Sequence, residues 1–129
     1  DMFIFKLFKS FMNKEIFYLN NYGNHLRDFT YIGDVVKAVH GLINKKFKYH
    51  EVINICSSRP INIYDIVKNF RKKNFFQLKL TKIHKADVLK TYGSNSKLKK
   101  ILKNIKFKKF YYTFYKTFEW YKKNNIYKF

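Results

Sequence analysis

Arg27 opens the run Arg27-Asp28-Phe29-Thr30-Tyr31-Ile32, and only three of the 28 basic residues in the chain are arginines. A guanidinium stays charged at any useful pH and can hold two phosphate oxygens at once, which makes Arg27 a candidate anion grip. Cys56 is the only cysteine, so an internal disulfide and a Cys-rich metal site are both excluded. A lone thiol suits a reducing compartment, and a cytoplasmic setting is expected. The four glycines, Gly23, Gly33, Gly41 and Gly93, are isolated from one another. None belongs to the G-x-x-G-x-x-G arrangement that lets a dinucleotide pyrophosphate approach a helix N-terminus.

Several elements must position these residues. Apolar residues at Met2, Phe3, Phe5, Leu7, Phe8, Phe11 and Met12 have helical spacing and predict a first helix. Ile16 to Leu19 is a β-rich run, closed by the turn cluster Asn20-Asn21-Tyr22-Gly23-Asn24, where Asn or Gly takes positive φ at little cost. Phe29 to Ile32 predicts a short strand. Asp34 is then placed to cap a helix whose stripe is Val35, Val36, Val39, Leu42 and Ile43. The β-branched run Val52-Ile53-Asn54-Ile55 predicts a strand buried on both faces, followed by a loop at Ser57-Ser58-Arg59-Pro60. A helix over Ile63 to Phe70, a half-buried strand over Phe76 to Ile83 and an irregular stretch over Asp87 to Ser96 come next. Ser96 is expected to cap a helix carrying Leu98, Ile101 and Leu102. A last helix over Tyr111 to Lys123 has Phe114, Phe118 and Tyr121 on one side. The class is mixed α/β, and no internal repeat or linker divides residues 1–129.

Composition narrows the partners. Hydrophobic residues make up 47% of the chain, with 15 Phe and 11 Tyr, far too many for a solvated tail. No run of 18 apolar residues occurs, so no membrane-spanning segment is expected. The net charge of +20 raises nucleic acid as a partner, because neutralising phosphates releases counterions. However, the lysines are spread from Lys6 to Lys128, and the residues over-used here are those of AT-rich codons. A small basic nucleic-acid-binding module is therefore the lesser reading.

The ordered set of motifs resembles the extended short-chain dehydrogenase/reductase family, and within it the UDP-glucuronate 4-epimerases. It comprises Asp1-Met2 followed by Phe, Asn21-x-Gly23, the run from Arg27 to Ile32 with Asp34, and Asn54-Ile55 with Pro60. Asp87-Val88, Thr91-Tyr92 and Glu119-Trp120-Tyr121 complete it. The resemblance implies the C-terminal, substrate-binding portion of a Rossmann-type fold, incomplete on its own, that takes a UDP-sugar. It implies that Arg27 holds the diphosphate, that Asp87 lies against the ribose hydroxyls, and that Leu19 and Asn20 end the strand lining the base. His84 falls where some relatives carry a second phosphate-gripping Arg. This sequence departs from the pattern at Asn20, where an aromatic residue is usual, at Gly33 and Ala86, and at Gly93-Ser94.

The resemblance also implies NAD, held by an N-terminal Rossmann domain that this chain does not contain, and a homodimer formed through that half. Relatives use a Tyr as base with a Lys four residues later. Tyr64 and Lys68 have this spacing, as do Tyr112 and Lys116, but both pairs fall where helical surface is expected. The expectation is a fragment, contributing UDP-sugar binding and no oxidising machinery. A dehydratase or decarboxylase of the same superfamily would share these C-terminal motifs.

Overall fold

The computed structural model describes residues 3–83 and 87–125. Its elements are α1 (Phe3–Met12), β1 (Phe17–Leu19), a 3-10 turn (Asn20–Gly23), β2 (Leu26–Arg27), α2 (Ile32–Ile43) and β3 (Ile61–Asn62). These are followed by α3 (Ile63–Arg71), β4 (Leu78–Leu80), α4 (Ser96–Ile101) and α5 (Phe110–Asn124). β1 pairs in parallel with β4, Phe17 opposite Leu78 and Leu19 opposite Leu80. β2 pairs antiparallel with β3, Leu26 opposite Asn62 and Arg27 opposite Ile61.

One aromatic-rich core joins these pieces. Leu7 and Phe8 of α1, Phe17 and Leu19 of β1, Ile63, Ile66, Val67 and Phe70 of α3, Phe76, and Phe114 and Phe118 of α5 are all buried together. The ring centroid of Phe8 lies 5.0 Å from those of both Phe114 and Phe118, and Phe70 meets Phe118 edge-on at 5.0 Å. Such tilted and edge-to-face contacts suit the aromatic quadrupole, so the rings add directional attraction to their area burial. α3 is fixed at its start by Asn62, whose side-chain oxygen accepts from the N–H groups of Tyr64 and Asp65.

The structure corrects five expectations. Val52 to Ile55 is not a strand: no described strand lies beside it to complete a ladder, and Val52 is 72% exposed. The strand expected at Phe29 to Ile32 lies earlier, at Leu26–Arg27, where β3 supplies the partner, and Ile32 already opens α2. Tyr31 occupies the N-cap position of α2. Asp34 is buried in the first turn, its Oδ2 accepting from the Lys108 N–H at 2.8 Å. Asn95 precedes α4, and Ser96 is its first residue. The Phe76 to Ile83 strand is present but reduced to Leu78–Leu80.

α2 leaves Ile32, Val36, Val39 and Ile43 exposed at helical spacing. Among the described residues no helix is long and apolar enough to cross a membrane.

The turn after β1 holds Asn21, Tyr22 and Gly23 at φ 49°, 53° and 80°. A Cβ on Gly23 would stand 2.8 Å from Tyr64 Cβ and 2.9 Å from Leu19 Cδ2. Gly23→Ala is therefore expected to destabilise the fold by about 2–4 kcal/mol, combining left-handed strain with overpacking against α3. A urea titration checks it. Burial pushes the Tyr115 hydroxyl up from 10.0, with Tyr111 adding to the rise. A raised folded-state value favours the neutral phenol, so its contribution is complete below pH 10.0 and lost as the pH climbs through the folded-state value. Tyr115→Phe should flatten the alkaline limb of a plot of melting temperature against pH.

Candidate functional site

Asp28 organises the region around Arg27. Its Oδ1 accepts from Ser57 Oγ at 2.5 Å and from the Arg59 N–H at 3.3 Å. Its Oδ2 accepts from the N–H groups of Ser58 at 3.0 Å and Gly93 at 3.3 Å. The Asp28 N–H donates to Thr91 Oγ1 at 3.1 Å, and Thr30 Oγ1 accepts from the Ser57 N–H at 3.1 Å. Asn95, buried, closes the loop from the far side. Its Nδ2 donates to the carbonyls of Cys56 and Ser57, and its N–H donates to Ser58 Oγ. Gly93 allows this convergence, because a Cβ there would stand 2.7 Å from Cys56 Sγ.

This arrangement leaves the charge of Arg27 unspent. Asp28 has committed both oxygens to the 57–59 loop and Gly93, and Arg27 has no carboxylate partner among the described residues. Its side chain is half-buried, with Nη1 donating to the Leu26 carbonyl at 3.0 Å. Asp87 approaches the same strand from the other side of the chain. Leu26 donates its N–H to the Leu89 carbonyl at 2.9 Å and accepts from the Thr91 N–H at 3.0 Å, so the 87–91 segment runs along β2. Asp87 Oδ2 stands 4.0 Å from Nε2 of His25.

Leu19 and Asn20 lie at the end of β1. The Leu19 side chain is buried in the core, while exposed Asn20 accepts through Oδ1 from Thr81 Oγ1 at 2.9 Å. His84 lies outside the described residues. The structure thus brings Arg27 and Asp87 to one strand and sets Leu19 and Asn20 at the end of another. The sequence reading gave no site role to His25, Ser57, Ser58, Thr91 or Asn95. The paired serines of the 57–60 loop were the one available signal, whereas nothing in sequence ties His25 to Asp87.

A cleft of about 420 Å³ opens at the start of α5, lined by Phe29, Tyr31, Arg59, Lys108, Phe110 and Tyr112 among others. It includes neither Arg27 nor Asp87. Lys108 Nζ lies 5.3 Å from the Tyr31 ring centroid and 6.0 Å from that of Tyr112, so the ammonium over Tyr112 comes from Lys108. Among the described residues, no group of three or more His, Cys, Asp or Glu is gathered as a metal site requires. Nor do these residues fit a dinucleotide. Gly23 is packed against Tyr64 and Leu19, Gly93 against Cys56, and Gly41 faces Leu102, while Gly33, in the first turn of α2, lies against the Tyr31 ring, so none opens backbone to a pyrophosphate at a helix start.

Residues 1–56 match the family model described as the NAD dependent epimerase/dehydratase family. Those residues, fewer than half of the chain, resemble that family in sequence. It is 35% identical over 105 residues to an uncharacterised protein of Methanocaldococcus jannaschii, covering 79% of this chain and 32% of that one. It is 31% identical over 105 residues to a UDP-glucuronate 4-epimerase of Thermodesulfobacterium geofontis, with the same two coverages. The UDP-glucuronic acid 4-epimerase of Bacillus cereus, solved with UDP-glucuronic acid and NAD, superposes with a TM-score of 0.84 at 22% identity. That match covers 95% of this chain and 40% of the other. MoeE5 in complex with UDP-glucose and NAD superposes with a TM-score of 0.86 at 21% identity, over 96% and 42%. The epimerase/dehydratase fold is thus shared along nearly all of the chain. The chain spans about a third of the length of the curated relatives it matches.

Removing the Asp28 carboxylate would strand the donors of the 57–59 loop and Gly93. Asp28→Ala is expected to cost about 2–4 kcal/mol, since hydrogen bonds to a charged group are worth roughly 1.5–3 kcal/mol and these share one acceptor group. Asp28→Asn should recover part of that, because one acceptor oxygen remains. Urea midpoints of the two variants measure the difference, and equal midpoints would contradict the clamp.

Proposed function

We propose that this chain supplies the nucleotide-sugar-binding part of an NAD-dependent epimerase acting on a UDP-sugar, of the UDP-glucuronate 4-epimerase kind. The observation that carries the reading is the unspent charge of Arg27. A guanidinium held on a paired strand, beside a carboxylate already engaged by the Ser57 hydroxyl and by backbone donors, is available for a diphosphate. Asp87, brought to the same strand by Leu26, is suited to accept from the ribose hydroxyls. The relatives solved with UDP-sugars and NAD support the assignment of substrate class and cofactor.

NAD would be held by parts of the enzyme other than these residues, a reading that the packing of their glycines supports. The uncovered apolar stripe of α2 and the unpaired run at Val52 to Ile55 support a division of labour in which an NAD-binding domain packs against this one. What this chain contributes is orientation. Fixing the diphosphate and ribose leaves the sugar as the mobile end of the substrate, free to present either face to a hydride acceptor that stays in place. The same binding part would serve a dehydratase or decarboxylase equally well.

In the complete enzyme, Arg27→Ala removes a charge-assisted contact worth roughly 1.5–3 kcal/mol. UDP binding should then weaken about 10- to 150-fold. Arg27→Lys should restore only part of the affinity, because an ammonium keeps the charge and loses the two-pronged geometry. NAD content should be unchanged. Calorimetric titration of UDP decides the matter, and an unaltered dissociation constant for Arg27→Ala would remove the assignment.

A further inference from the structure

His25 is 6% exposed and sits at the foot of β2, where its carbonyl accepts from the Ile63 N–H at 2.9 Å and extends the β2–β3 pairing by one residue. Its Nε2 and the Oδ2 of Asp87 are both fully buried, and neither has a hydrogen-bond partner among the described residues. Buried polar atoms left without partners are rare, and each calls for a cause. Here the two lie 4.0 Å apart, about 1 Å beyond ordinary hydrogen-bond reach, so each accounts for the other. A small rotation of either side chain closes the gap, since a donor and an acceptor already face each other across it.

We propose that His25 is a positioning residue that donates from Nε2–H to the Asp87 carboxylate and so fixes that carboxylate for the ribose of a bound nucleotide. The inference rests on the ribose reading of Asp87 given above. The backbone supports it. Leu26 is bonded to both Leu89 and Thr91, which sets the height of the 87–91 segment against β2 but leaves the Asp87 side chain to be oriented by something else. His25 immediately precedes β2. Residues two apart on an extended strand share a face, so His25 and Arg27 present to the same side. The pair thereby links the position of the ribose contact to that of the diphosphate contact. The proposal also fixes the imidazole's protonation: Nε2 carries a proton, because a carboxylate can only accept.

The test uses the protein of the Arg27 titrations, with nitrogen-15-labelled histidine. The His25 signal is identified by its loss in His25→Gln, and a protonated Nε2 is expected. Asp87→Asn should shift that signal. His25→Phe keeps bulk and loses the donor, and it should weaken UDP roughly 3- to 10-fold, as coupled neighbours do. His25→Gln, which retains an N–H donor, should restore most of the loss. The double variant His25→Phe/Asp87→Asn should bind no more weakly than Asp87→Asn alone. A His25 signal indifferent to Asp87→Asn would overturn the pair. Full UDP affinity in His25→Phe, with weakened binding in Asp87→Asn, would overturn the positioning role. A His25 signal that responds to Asp87→Asn, with UDP affinity unaffected by that change, would support the pair and overturn only the ribose reading.

Discussion

The carboxylate of Asp28 is the interaction on which the arrangement around Arg27 depends. It gathers the 57–59 loop and Gly93, segments 29 and 65 residues away along the chain, onto one pair of oxygens. Two neighbours with opposite charges would ordinarily neutralise each other at the surface, where an ion pair contributes little. Here the carboxylate turns toward backbone N–H groups, and the guanidinium is left for something else. A structural role for one residue thus creates the chemical freedom of the next.

The same strand supports the other half of the site. β2 is only Leu26–Arg27, yet it is bonded on one edge to β3 and on the other to the 87–91 segment. A two-residue strand with partners on both edges is held more firmly than its length suggests. It is also the reason that His25, next to Arg27, comes close to Asp87, which lies in a distant part of the sequence. The aromatic core lies on the α1, α3 and α5 side. It anchors β3 through Ile63, the residue immediately after it, and so anchors β2 at one remove.

Helices were legible in the sequence because their period is written in side chains: α1, α3 and α5 fall within a residue or two of where apolar spacing puts them. Strands were less so, since a strand exists only with a partner. Val52 to Ile55 has strand composition and no described neighbour, while Leu26–Arg27 has ordinary composition and two. Asp34 has the residue type of a cap, but tertiary structure recruits it for the Lys108 N–H. Turn chemistry was readable at Asn21 and Gly23, but Tyr22, also at positive φ, has no such signature. Arg27 and Asp87 could be picked out through resemblance. The clamp of Asp28 and the nearness of His25 to Asp87 could not, because both join residues about 30 to 65 apart in sequence through contacts that only the fold defines.

The parallel pairing of β1 with β4 bears on how the chain reaches this state. Asn20 and Thr81, hydrogen-bonded at the end of that pair, are 61 residues apart. Parallel strands cannot be joined by a tight turn, so α2, β3 and α3 must all be traversed before the first contact forms. Closing so long a loop costs entropy before any bond repays it, and topologies of this kind fold slowly. The helices, built from local contacts, can form early. The β1–β4 ladder is then a late event, and until it closes, the alternating apolar residues of both strands remain open to pairing with other chains.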